Sequence, residues 1–334
     1  MAGTTDVKRD LERSWSLVDL LDQAPGFAAL SGTLIEITEA GAPVVALTSD
    51  LKYSNGLVVY GDRFPDRFFN MGISEQNMVS TAAGMATTGP TPFVAGFASF
   101  LSLLCCEQIR MDVAYSQLPV RLIGHHAGIS LGFYGTSHHT TEDLSIMRAM
   151  AGLTVICPAD PASLVAAVRA SVEWEEPIYF RIGRGREPEV YAKGALRFEI
   201  GKAIKHFDGA SATVIATGSM VHPALAAVKA LRDRGHDVGL IDMHTIKPFD
   251  RDAVLEAAAG TELILTVEEH NRVGGLGAAV AEVLAEAEGA PPLRRHGIAD
   301  EYSLIGPPTH LYRHYGLDAE GIENFIRSEL EAIA

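Results

Sequence analysis

FFNMGISEQNM, residues Phe68–Met78, places an acid where an apolar face belongs. A helix beginning near Ser74, a favourable N-cap residue type, puts Glu75, Met78, Val79, Ala82 and Ala83 on one face. Gln76, Asn77, Ser80 and Thr81 take the other. By period, Glu75 belongs to the buried side. A carboxylate there must be paired, hydrogen-bonded or protonated, because burying it bare is costly. The ordinary alternative is a first-turn acid that bends outward to complement the helix dipole.

Outward from this stretch the pattern is α/β. Short β-branched apolar runs recur: APVVAL, TPFVAG, LPVRLIG, LTVICP, SATVIATG, DVGLID and ELILTVEE. Helical patterns lie between many of them, such as Pro161 to Glu173 and His222 to Arg234. Near-continuous apolar strands alternating with helices indicate parallel sheets buried on both faces. The chain of 334 residues has room for two such units. Gly183 to Ala203, basic and broken by Gly and Pro, reads as the linker between them. The expected division is 1–190, with an N-terminal helical extension, and 191–334.

Composition narrows the function. The net charge of −15 argues against nucleic acid as a partner. An anionic substrate must then be met by local cations rather than by the overall field. Cys105, Cys106 and Cys157 are an odd count with two adjacent, which does not suggest a disulfide framework. The charged start does not read as a signal peptide, and no apolar run reaches membrane-spanning length. The expectation is a cytoplasmic protein with no membrane contact.

Several stretches carry candidate chemistry. Phe97 and Phe100, in AGFASF, serve either as core or as a stacking wall for a planar heteroaromatic ring. HHAGISLGFYGTSHH brings His125, His126, His138 and His139 into a glycine-rich loop after a strand. Ligands in open α/β sheets bind at such strand ends, and the histidines suit an anion or a proton transfer. Their spacing does not match a zinc site, so no metal ligand is assigned to this chain. Arg181, Arg184 and Arg186 in FRIGRGREP form either a solvated basic turn or a phosphate clamp. TVEEHNRVGGLG carries a weak dinucleotide-like glycine pattern around Gly275 and Gly277. Four residues separate strand from glycines, so it reads instead as a close helix–strand packing turn.

Taken in order, TSDLKYSN, FFNMGISEQNM, FASF, GFYGTSHHTTEDLS, FRIGRG, MHTIKPFD and EEHNRVGGLG resemble the C-terminal half of transketolase, from about Leu30 to the end. That resemblance implies a pyrimidine-binding domain followed by the family's C-terminal domain. It implies thiamine diphosphate as cofactor. Glu75 is similar to the glutamate that shares a proton with N1′ of the aminopyrimidine, which promotes loss of the thiazolium C2 proton. Burial would raise the pKa of such a carboxyl and the helix N-terminus would oppose the rise. Phe100 and Phe97 match residues lining the pyrimidine, and Asp50 matches an acid near the thiazolium. His138 and His126 match active-site histidines, and Ser54, His126 and Arg181 match groups that meet a substrate phosphate. His126 and Arg181 would be the local cations. The implied reaction moves a two-carbon ketol unit from a ketose phosphate to an aldose.

The family's Gly-Asp-Gly segment with its downstream Asn, which holds the diphosphate and Mg²⁺, is not matched; Gly61-Asp62 is followed by Arg63. The resemblance therefore implies a split transketolase whose N-terminal-half subunit supplies those ligands, assembled as α₂β₂. Departures bear on specificity. Tyr134 stands where the family commonly has an acid, and His139 where it has a glutamine. No phosphate-binding arginine lies near Ala28, and Leu103 replaces an aromatic. An unusual sugar phosphate such as apulose 4-phosphate fits these changes. Rival readings are a 1-deoxyxylulose-5-phosphate synthase-like chain, a 2-oxoacid dehydrogenase E1 β-like subunit, and a non-catalytic stabilising subunit.

Overall fold

The computed structural model describes residues 24–333; the expected N-terminal extension up to residue 23 lies outside them. All seven apolar runs are strands. The first half contributes β1 (Val44–Thr48), β2 (Phe68–Asn70), β3 (Thr91–Phe97), β4 (Arg121–His125), β5 (Thr154–Ile156) and β6 (Ile178–Arg181), all parallel. The second half contributes β7 (Ile204–Phe207), β8 (Ala212–Ala216), β9 (Val238–Asp242), β10 (Thr245–Lys247), β11 (Ile264–Asn271) and β12 (Leu293–Ile298). They form two sheets, in the orders β10-β5-β6-β4-β3-β1-β2 and β12-β11-β8-β9-β7. Among the described strands of the second sheet, only β7 runs antiparallel. Strands β4, β8 and β9 are buried at every position, as continuous apolar runs covered by helices on both faces require.

The helices form where local chemistry starts them. The helix Pro161–Ala170 has Pro at its first turn and a capping box, Asp160 accepting from the Ser163 amide at 2.8 Å while Ser163 Oγ accepts from the Asp160 amide at 3.0 Å. The other Asp160 oxygen accepts from the amides of Val190 and Tyr191 at 2.8 and 2.9 Å. That pins the linker, and residues 182–203 form no helix or strand.

The two sheets are not divided cleanly at residue 190, either in sequence or in space. The strand β10 leaves the second half and pairs antiparallel with β5 of the first sheet, Thr245 opposite Ile156. One apolar cluster runs on from Leu122 and Met147 to Ile215, Met243 and Val280. The two halves therefore share a core, and the site can draw on both.

Gly275 and Gly277 are packing glycines, as the sequence suggests. A Cβ at Gly277 would lie 2.7 Å from Arg295 Cδ and 2.8 Å from Thr266 Oγ1. They open the helix Leu276–Ala285, whose first amides, Leu276 and Gly277, donate to the Glu268 carboxylate at 2.7 and 2.9 Å.

Candidate functional site

The helix from Glu75 runs to Ala86 and buries Glu75, Met78, Val79, Ala82, Ala83 and Ala86, the face its period predicts. Ser74 takes the N-cap position but makes no capping bond; its hydroxyl donates to the Met71 carbonyl at 2.8 Å. Glu75 is only 6% exposed, yet no hydrogen bond or ion pair to its carboxylate forms among the described residues. The outward-bending alternative is thereby set aside. Its neighbour is the turn at residues 100–105. Gln76 Nε2 donates to the Leu104 carbonyl at 3.0 Å, and the Cys105 thiol is pushed up to about 12, by burial first and by the Glu75 charge second.

That turn opens a helical segment with wide π turns over Phe100–Leu104 and Ile109–Ala114. Phe100 stands at its start and Phe97 at the end of β3, their rings edge to face at 5.7 Å. The loop after β4 folds its histidines against them. Phe97 lies 5.0 Å from His125, 5.2 Å from His126 and 5.4 Å from His138, and Phe100 lies 5.2 Å from His138. Tyr134, half exposed, comes within 4.9 Å of His138. The structure thus gathers Phe97, Phe100, His126, His138 and Tyr134 into one cluster.

Asp50 and Ser54 lie on the connection after β1. Asp50 is exposed and left-handed at φ 60°, a conformation that Asp tolerates better than most residues. Its amide donates to Asn70 Oδ1 at 2.9 Å, and Asn70 Nδ2 returns a bond to its carboxylate at 3.1 Å. This ties the carboxyl ends of β1 and β2 together just ahead of Glu75. Ser54 is half-buried in the following turn.

Two expectations need correction. His126 is not a local cation. Burial, then His125, Arg184 and His138, holds it well below the usual imidazole range, so it is neutral at neutral pH. Its Nδ1 lies 2.6 Å from that of His125, which burial lowers to about 3. Arg181 is held by protein partners rather than offered freely to a phosphate. It is 5% exposed; its Nε meets both Asp143 oxygens at 3.1 and 2.9 Å, and its Nη2 donates to the carbonyls of Thr140 and Glu269. A guanidinium engaged in this way is structural. His139, for its part, is buried and turned to the second half, its Nδ1 2.5 Å from Ser303 Oγ.

Chemically, the cluster offers neutral imidazoles. Burial lowers His138 as well, and its Nδ1 lies 2.9 Å from Ser137 Oγ, which orients the ring and leaves Nε2 for exchange with a ligand.

Residues 25–188 match the family model described as transketolase, pyrimidine binding domain, and residues 201–322 match transketolase, C-terminal domain. One subunit of the apulose-4-phosphate transketolase of Phocaeicola vulgatus is 38% identical over 294 residues, 88% of this chain and 94% of that protein. The chain belongs to the transketolase family. The 6-deoxy-6-sulfo-D-fructose transketolase subunit of Clostridium sp. strain MSTE9 is 36% identical, over 86% of this chain and 89% of that one. A solved split gene transketolase, described as an inactive beta4 tetramer, superposes with a TM-score of 0.85 at 37% identity, covering 92% of this chain and 99% of the other. A 1-deoxy-D-xylulose-5-phosphate synthase from Syntrophotalea carbinolica is 34% identical over 89% of this chain but 46% of its own length.

Transketolase-family membership implies thiamine diphosphate, and the residues fit its pyrimidine end. A nearly buried carboxylate without a donor is what a ring nitrogen can complete, and Phe97 and Phe100 offer aromatic faces nearby. The transketolase motifs alone did not single out Phe27, which stacks on His126 at 5.4 Å, or Glu269 and Ser303. Glu269 carried a usable signal: a charged residue inside a buried strand must find partners.

Proposed function

We propose that this chain is the C-terminal-half subunit of a split transketolase, transferring a two-carbon ketol unit from a ketose phosphate to an aldose. A second chain supplies the diphosphate and Mg²⁺ ligands, in an α₂β₂ assembly in the cytoplasm. The observation that carries this is Glu75, an interior carboxylate left without a donor. The near-complete overlap with relatives that are themselves subunits, against half of a one-chain synthase, supports the split form.

When bound, thiamine diphosphate supplies the carbon nucleophile and electron sink for cleaving the bond beside a ketose carbonyl. This chain's residues prepare it. Glu75 would hold a proton at the pyrimidine nitrogen. Phe97 and Phe100 would line the ring and keep water from it. Asp50 would serve the thiazolium side. His138, neutral and oriented by Ser137, moves a proton at a substrate hydroxyl. His126, also neutral, contributes hydrogen bonds rather than charge, and Ser54 adds a hydroxyl for the substrate phosphate. Tyr134, exposed beside His138, sets the acceptor end. His139 acts there only indirectly, through Ser303.

The relatives point to an uncommon sugar phosphate, such as apulose 4-phosphate, as donor. The test is reconstitution with a companion chain carrying a Gly-Asp-Gly…Asn segment, plus thiamine diphosphate and Mg²⁺. Ketol transfer from a ketose phosphate is the expected result. Use of pyruvate instead would favour the synthase-like or 2-oxoacid dehydrogenase-like reading. Calorimetry of the isolated chain should show no micromolar cofactor binding.

A further inference from the structure

The loop from Gly128 to Thr140 carries Tyr134, His138 and His139, and its neck is closed by paired backbone bonds between Gly128 and Thr140 at 3.1 and 2.9 Å. On its incoming side the neck leans on the first half, the His126 and Ala127 amides donating to the Gly183 and Ile182 carbonyls at 2.8 and 3.0 Å. The second half adds the remaining hold. Glu269, at 2% exposure, accepts from the Ile129 amide at 2.7 Å just inside the neck. The same carboxylate accepts from Tyr312 Oη at 2.7 Å and Ser219 Oγ at 2.6 Å, which fix it to the second domain. On the other side of the neck, Arg181 Nη2 donates to the Thr140 carbonyl at 3.2 Å and to the Glu269 carbonyl at 2.8 Å. One residue thus grips both strands of the neck, with its side chain on one and its main chain, through Arg181, on the other. The fit is tight: Gly128 is left-handed at φ 66°, and a Cβ there would lie 2.2 Å from Glu269 Oε1.

We propose that Glu269 is a positioning residue, setting the stance of His138 through the loop neck without touching the reacting atoms. A displacement of the order of 1 Å in such a group costs roughly a hundredfold in rate. The Ile129 bond is the one that matters for the loop; the Tyr312 and Ser219 bonds hold the anchor. Glutamine keeps an oxygen for Ile129 and can donate to Ser219, so Glu269→Gln should preserve the clamp, whereas Glu269→Ala should release it.

The experiment has two arms, and only the kinetic one rests on the transketolase reading. In the full chain, amide hydrogen exchange is followed by mass spectrometry in wild type, E269A and E269Q. Peptides covering 126–140 should exchange about tenfold faster in E269A, with β8 and β9 peptides unchanged, and E269Q should match wild type. In the reconstituted pair, E269A should lose roughly ten- to a hundredfold in kcat with donor KM within about threefold, and E269Q should recover most of it. Unchanged loop exchange in E269A, loss spread evenly over all peptides, or a wild-type kcat overturns the proposal. Should E269A not fold, G128A drives the neck off the carboxylate, and the same selective exchange is expected; an unchanged loop there overturns it equally. An inactive wild-type pair would sink the transketolase reading while the exchange arm still decides the clamp.

Discussion

Three glutamates are buried among the described residues, one in the first half and two in the second, and they are treated in opposite ways. Glu268 accepts two helix amides, and Glu269 accepts one amide and two hydroxyls. Glu75, at 6% exposure, accepts from nothing described. Burial alone therefore does not distinguish a functional acid. Under the proposed function, satisfaction does: a carboxylate surrounded by donors anchors the structure, and one without them is left to meet a ligand.

The sharpest way to break the comparison is to remove each kind in turn. Glu75→Ala should lower ketol transfer in the reconstituted enzyme by about 10²–10⁴ while leaving the urea midpoint of the isolated chain nearly unchanged, since no donor is orphaned. A large stability loss with transfer retained would reverse the assignment. Asp143→Ala is the opposite case. It strips Arg181 and Tyr179 of their shared partner inside the core, and denaturant unfolding should show a loss of roughly 3–5 kcal/mol.

A smaller effect comes from pH. Burial raises Asp242 to about 7, opposed by the hydrogen bond from Tyr191 Oη at 2.7 Å. The folded chain therefore binds this proton more tightly than the unfolded one. The group favours folding below about pH 4, and that contribution is lost as pH rises to about 7. Asp242→Asn should flatten that part of a melting-temperature profile; an unchanged slope would mean another group sets it. The smallest effect is the control, Glu39→Gln, which removes the exposed pair with Arg63 and should shift stability by less than about 1 kcal/mol.

The strand runs and the buried face of the Glu75 helix were legible because their signal is local. Seven apolar runs gave seven strands, and the period from Glu75 to Ala83 marked the face that is buried. Arg181 was misread for the complementary reason. A basic residue at a strand end looks free in sequence, and its partner Asp143 lies 38 positions away, where spacing carries no information. His126 was misread as charged because composition cannot report desolvation or the neighbouring His125 ring. β10 escaped notice altogether. Three residues ending in Lys247 make no strand pattern by themselves; pairing with β5 creates the strand.

β10 also has a consequence for synthesis. The ribosome delivers the first sheet long before the residues that close its border at β5, because they arrive only with Thr245–Lys247. Until then a bare row of peptide groups stands open to any neighbouring strand. A nascent chain of this protein is thus most vulnerable to mispairing during the growth of its own second half.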